Sequence, residues 1–249
     1  MKILISNDDG INAKGIFELA EALSSIADIV IVAPKTEQSA VGHAVTMKTP
    51  LRIEQIKLNN RFDAFVVNGT PADCVKIGIR NILSSPPDLV VSGINHGGNL
   101  AINIIYSGTV SAAREAAIMG IPAIAFSITS HHPIYFEAAR KYAEQIAKVV
   151  LSNKLKKGTL LNVNIPHLPE NEVKGLKFTR QGNSTWDDKY EERIDPYGDK
   201  YYWLTGVMKN TNITTNSDEE AISQNYVSVT PIQFNLTDLD ELEKVKHWF

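Results

Sequence analysis

Short apolar runs rich in β-branched residues alternate with helical patterns through roughly the first 165 positions, and this alternation constrains the fold more than any other feature. Ile3-Leu4-Ile5 is continuously apolar, as expected of a strand buried on both faces of a parallel sheet. Positions 15–26 then place Ile16, Leu19, Ala20 and Leu23 on one helical face. Further strands are predicted over 28–32, 51–56, 62–67, 88–93, 121–127 and 160–165, with a polar turn at 58–61. Helices are predicted from Thr70 to the Pro86-Pro87 stop, over 109–119 with Gly120 just past the end, and over 134–151. Thr70 suits an N-cap, Pro71 the first helical position and Asp73 the positive end of the dipole. The rhythm predicts an α/β fold: a mostly parallel sheet with helices on both faces.

The texture changes from about residue 175, where Trp186, Tyr190, Tyr197, Tyr201, Tyr202 and Trp203 mix with polar residues and with turns at Pro196-Tyr197-Gly198 and 210–212. Extended hairpins projecting from the core are expected here, suited to subunit contacts because Tyr and Trp favour interfaces. The alternative is a β-rich lid folded back on its own chain. A final strand over 226–231 and a short terminal helix within 236–249 complete the reading. The expected organisation is one domain over residues 1–249, with a core of about 1–170 and an extension returning to it over about 171–249.

Composition narrows the function classes. With 43% hydrophobic and 21% charged residues, the chain can bury a sizeable core. A formal charge of −3 gives no electrostatic reason to expect a nucleic-acid polymer as partner. Cys74 is the single cysteine, so no intrachain disulfide forms and a reducing, cytoplasmic setting is expected. No window approaches the run of about 18 apolar residues that spans a membrane, and no membrane partner is expected.

The chemistry concentrates in loops that follow strands. Asn7-Asp8-Asp9-Gly10 delivers two adjacent carboxylates to the carboxyl end of the first strand, where open α/β sheets place their ligands. Carboxylates held close repel, so such a site usually supplies a cation; the plain alternative is a surface turn. Ser39 follows the second strand, and Ile94-Asn95-His96-Gly97-Gly98-Asn99 follows the strand ending at Gly93. Carboxylate, hydroxyl and amide oxygens are the donors that Mg²⁺ and Mn²⁺ prefer. Tyr106-Ser107-Gly108-Thr109 leads into a small-residue helix, whose free N–H groups and positive dipole end suit a phosphate. Ordinary N-capping is the competing reading. A phosphate cradle beside an acidic metal site is what metal-assisted phosphoryl hydrolysis requires. Asn99, Ser107, Gly108 and Thr109 are the expected phosphate-binding residues, and Asp8 or Asp9 would orient or deprotonate the attacking water. His43 and His96 are weaker candidates for donating a proton. Cys74 reads as a packed helix residue, and Tyr197, Tyr202 and Trp203 as interface residues before base-stacking ones.

Several motifs in order carry a family likeness: Asn7-Asp8-Asp9-Gly10, Gln38-Ser39, Gly69-Thr70-Pro71-Ala72-Asp73-Cys74, Ser92-Gly93-Ile94-Asn95 and Tyr106-Ser107-Gly108-Thr109-Val110. Leu161-Asn162-Val163-Asn164-Ile165-Pro166 and Val227-Ser228-Val229-Thr230-Pro231 extend it over nearly the whole chain. The chain resembles the SurE family of metal-dependent 5'/3'-nucleotidases. That resemblance implies Asp8, Asp9, Ser39 and Asn95 as ligands of one divalent cation per subunit, Mg²⁺ or Mn²⁺. It also implies a Rossmann-like core whose C-terminal extension builds a homodimer or homotetramer. The expected reaction is hydrolysis of nucleoside 5'-monophosphates, with 3'-monophosphates and polyphosphate left open. One departure stands at Leu100-Ala101-Ile102-Asn103, since relatives often carry Gly or Ser at position 101. Two rivals remain: a phosphoaspartyl enzyme, which wants its aspartates one residue apart, and a nucleotide sensor, although the first βα turn lacks Gly-x-Gly-x-x-Gly.

Overall fold

Residues 1–153, 155–209 and 214–248 of a computed structural model are described, and they form eleven strands and seven α-helices. In chain order these are β1 (Lys2–Ser6), α1 (Lys14–Leu23), β2 (Asp28–Pro34), β3 (Ile53–Leu58), β4 (Phe62–Val67), α2 (Pro71–Ile77), β5 (Leu89–His96), α3 (Asn103–Tyr106) and α4 (Gly108–Ile118). There follow β6 (Ala123–Ile128), α5 (Glu137–Ser152), β7 (Thr159–Ile165), β8 (Leu176–Phe178), β9 (Thr185–Ile194), β10 (Lys200–Lys209), α6 (Asp218–Ser223), β11 (Val227–Gln233) and α7 (Leu239–Val245).

Nine strands form one sheet in the order β3-β4-β2-β1-β5-β6-β7-β11-β8. From β4 through β7 every pairing is parallel, while β3 and β11 add antiparallel neighbours. The period-2 alternation of β1 divides the core. Ile3 and Ile5 pack with α1 and α5 on one face, and Leu4 packs with α2 and α4 on the other. α1 buries Ile16, Leu19, Ala20 and Leu23, the predicted face. α4 offers mainly small side chains, Ala112, Ala113, Ala116 and Ala117, which let it lie close against the sheet. α2 opens on the expected N-cap at Thr70, and the structure adds a capping box, with Thr70 and Asp73 each accepting from the other's backbone N–H. Cys74 is fully buried.

Boundaries shift where tertiary contacts compete with local pattern. The long helix begins at Glu137, not 134, because the His167 ring takes the backbone N–H groups of Ile134 and Tyr135 at 3.0 and 3.3 Å. β5 continues three residues past Gly93, through a slip in its register with β6 between Ser92 and Asn95. One projecting hairpin, β9–β10, replaces the expected several, and its turn falls at the predicted Pro196-Tyr197-Gly198. Asp195 Oδ1 closes that turn by accepting from Tyr197 and Asp199 N–H at 2.8 and 3.0 Å. The turn expected at 210–212 lies outside the described residues. β11 then returns to the sheet between β7, to which it is antiparallel, and the edge strand β8.

Chain order places the crevice. From β1 the chain moves to β2 on one side and later to β5 on the other, so strand direction of travel reverses between them. The carboxyl ends of β1 and β5 therefore open on a switch point, the usual ligand position of such sheets.

Candidate active site

Three loops meet at this crevice, and each is fixed from behind. After β1, the buried Asn7 side chain donates to Gly10 O at 2.8 Å and closes the turn that presents Asp8 and Asp9. Gly10 sits at φ +91, where a side chain would also press on the Thr36 carbonyl carbon at 3.1 Å. The Ser39 loop is stitched on by Gln38 N–H to Asp8 O at 2.7 Å and Gly42 N–H to Tyr106 O at 3.0 Å. Thr46 N–H to Asp73 Oδ1 at 3.0 Å holds its far end. Between these, His43 Nε2 lies 2.9 Å from Glu115 Oε2, whose other oxygen meets Lys76 Nζ at 2.8 Å. The His43 and Lys76 hydrogen bonds hold the Glu115 carboxyl below its usual range. His43 thus serves the loop's anchorage and is not part of the cavity wall.

In the third loop, Asn95 spends its amide nitrogen on Gly97 O at 2.7 Å, which leaves Oδ1 free. Asn99 is held more tightly. Its N–H donates to Asn164 Oδ1 at 2.8 Å, its carbonyl accepts from Asn162 and Asn164, and its side-chain nitrogen donates to Ser127 at 2.8 Å. Ala101, the departure noted in the sequence, adopts φ +48, a conformation glycine takes at less cost. Asp218 and Gln181 hold it there through its N–H and carbonyl at 3.0 and 2.9 Å.

Asp8, Asp9, Ser39, Asn95, Asn99 and Ser107 line one cavity of about 980 Å³, large enough for a nucleotide. Gly108 and Thr109 sit behind Asp8 and do not line it. Thr109 is fully buried, its hydroxyl donates to Asp8, and Ser107 Oγ caps α4 by accepting from Val110 N–H at 3.0 Å. The α4 N-terminus therefore faces Asp8 first. Sequence reasoning missed the opposite wall: His131, His132, Asn103, and the hairpin residues Trp186, Asp188, Leu204, Thr205 and Gly206. His131 and His132 are adjacent histidines after a buried strand, a pattern that could have marked them. His96 lines the cavity, yet burial lowers its proton affinity and its Nε2 is buried without a partner. Tyr197, Tyr202 and Trp203 are exposed on the hairpin outside the lining.

Electrostatics set the character of the pocket. Burial pushes the Asp8 carboxyl up to about 6; Thr109 opposes this, and the Asp9 charge adds to it. Burial likewise pushes Asp9 up to about 6, against the His96 N–H it accepts at 3.3 Å. No lysine or arginine lines the cavity among the described residues. Nor do three His, Cys, Asp or Glu side chains converge there. The four residues the resemblance implies as ligands offer two carboxylates, a hydroxyl and an amide oxygen, a hard-oxygen set that fits Mg²⁺ or Mn²⁺. Glu37, which accepts from the Ser39 hydroxyl, lines the same cavity, as do the imidazoles of His96, His131 and His132.

A pH dependence follows. Both carboxyls bind protons more tightly folded than unfolded, so metal-free stability falls as pH rises from about 4 to about 6 and stays low above it. Asp8 alone accounts for roughly 3 kcal/mol. Thermal melts in EDTA should show this decline, flattened in a D8N/D9N double variant; 1 mM Mn²⁺ should raise Tm at pH 7.5 far more than at pH 5. Parallel pH profiles for the two proteins would refute the assignment.

Residues 3–188 match the model of the family described as survival protein SurE. A 5'-nucleotidase SurE of Syntrophobacter fumaroxidans is 46% identical over 248 residues, covering 100% of this chain and 99% of that protein. One of Christiangramia forsetii is 47% identical over 249 residues, covering 99% and 96%. The crystal structure of the SurE protein from Aquifex aeolicus superposes with a TM-score of 0.86 at 42% identity, covering 100% of this chain and 99% of that one.

Proposed function

Because the chain belongs to the SurE survival-protein family, we propose that it is a metal-dependent phosphatase that hydrolyses nucleoside 5'-monophosphates to nucleoside and inorganic phosphate. The observation that carries this reading is the pair of adjacent, largely buried carboxylates at the β1–β5 switch point, sharing one cavity with the Ser39 hydroxyl and Asn95 Oδ1, with no lysine or arginine in the wall among the described residues. Asp8, Asp9, Ser39 and Asn95 would hold one Mg²⁺ or Mn²⁺. Bound there, the cation supplies Lewis-acid chemistry, drawing charge from phosphoryl oxygens and making water more acidic.

The chain's own groups do the rest. Asn99 retains one amide hydrogen after serving Ser127, and Ser107 retains its hydroxyl proton after capping α4; both line the cavity and would donate to phosphoryl oxygens. Gly108 and Thr109 contribute through Asp8, the glycine by leaving it room and the threonine by orienting it. Asp8 or Asp9 would orient or deprotonate the water as its oxygen attacks phosphorus and the ester P–O bond breaks, and the departing nucleoside oxygen takes a proton from solvent to leave as the alcohol.

Phosphate release from a panel of nucleotides tests the reading: turnover of 5'-monophosphates with Mn²⁺ or Mg²⁺ and its loss in EDTA are expected. Tight binding without release would favour the sensor, and a trapped phosphoaspartyl adduct the covalent mechanism.

We also place the protein in the cytoplasm as a homodimer or homotetramer. Buried Cys74 is the one thiol, and the hairpin exposes Tyr190, Ile194, Tyr197, Tyr202 and Trp203, an aromatic surface suited to a second copy. No helix among the described residues is long and apolar enough to cross a membrane.

A further inference from the structure

The cavity has two unlike ends. One end is polar, built from Asp8, Asp9, Asn95, Asn99 and Ser107, and it suffices for a cation and a phosphoryl group. The other lies beneath the hairpin, where Trp186 of β9 turns its indole N–H onto Asn103 Oδ1 at 2.7 Å. That bond anchors the ring of a residue that is otherwise 42% exposed. Asp188 lies two residues on and shares the hairpin face of Trp186, opposite Gly206 in the register. A Cβ at Gly206 would meet the Asp187 carbonyl at 2.6 Å, so this position carries no side chain and the face beside Trp186 stays open.

From these contacts, and resting on the nucleotidase reading above, we infer that Trp186 is the stacking surface for the substrate's base, with Asn103 holding the ring in place. A base has an aromatic face whatever its edge groups, so a fixed indole binds any of the common bases and discriminates nucleotides from bare sugar phosphates. The hairpin is then part of the substrate site as well as a projecting arm. Trp203, on the opposite hairpin face and outside the lining, takes no part.

Steady-state kinetics with Mn²⁺ provide the test. Trp186→Leu should raise KM for 5'-AMP about tenfold, as expected for one lost stacking contact, and change kcat/KM for ribose 5-phosphate less than twofold. Trp186→Phe should restore most of the loss, and Trp203→Leu should move neither substrate. Adenosine, which has no phosphate to lose, should quench tryptophan fluorescence in the wild type and Trp203→Leu but not in Trp186→Leu. An equal loss on both phosphates, or adenosine quenching that survives in Trp186→Leu, overturns the inference. Absent phosphate release with adenosine quenching intact would instead overturn the nucleotidase reading.

Discussion

Replacing Asp8 or Asp9 with Asn is expected to lower kcat/KM for a nucleoside monophosphate by about a thousandfold, roughly 4 kcal/mol of barrier. The same change should make the metal-free protein more stable at neutral pH. The two outcomes share one cause. Both carboxyls are pushed up to about 6 by burial, and the charge of Asp9 adds to the strain on Asp8. An amide of the same shape removes the charge and keeps an oxygen for the Thr109 hydroxyl or the His96 N–H. It also removes an anionic donor that a dication requires. For a chain of this length, Tm rises by about 2–4 °C for each kcal/mol recovered. Melts in EDTA at pH 7.5 should therefore place both variants above the wild type, and added Mn²⁺ should shift them little. Near-normal turnover in both variants would defeat the assignment. A large fall in Tm with lost turnover would recast the aspartates as structural.

The sequence makes the scaffold legible because its signals are local. Ile3-Leu4-Ile5, the Thr70-Pro71-Asp73 start and the Ile16, Leu19, Ala20 and Leu23 stripe each state their element within a few residues, and each appears as read. Boundaries fail where a distant group intervenes, as His167 does 32 and 33 residues from the N–H groups it takes. The four-residue α3 carries too little periodicity to be seen at all. Asp8, Asp9, Ser39, Asn95, Asn99 and Ser107 converge as the loop argument requires. What one-dimensional reading lacks is the depth of each residue. Thr109, 101 positions from Asp8, looks like a phosphate donor in sequence and stands behind a carboxylate in space. Asn162 and Asn164 are visible only as a family motif, and the fold explains them as the anchors of Asn99. The hairpin wall is beyond local pattern, since nothing in Trp186 or Gly206 announces which face of the core the arm will cross.

Gly108→Ala should cost about a hundredfold in kcat/KM while leaving a folded protein. The glycine begins α4, and its backbone angles do not demand it: alanine there would ordinarily strengthen a helix by up to about 1 kcal/mol. Space demands it. A Cβ at this position would lie 2.8 Å from Asp8 Cβ and 2.9 Å from its Oδ2, distances that side chains do not sustain. Asp8 is boxed in by its burial, the Thr109 hydroxyl and the Gln38 bond to its carbonyl, so the added methyl moves the carboxylate or α4 itself. A displacement near 1 Å at a reacting group costs about two orders of magnitude. Gly120→Ala supplies the contrast. That glycine sits at φ +80 with nothing within 4 Å of a Cβ, so alanine should lower Tm through backbone strain and leave kcat/KM unchanged. Measuring both parameters for both variants separates the two uses of glycine: loss of activity at position 108, with Tm lowered by the overpacking, and loss of Tm alone at 120. Wild-type kcat/KM in Gly108→Ala would mean that Asp8 tolerates displacement, and a carboxylate that can move freely is not the fixed group on which this site is built.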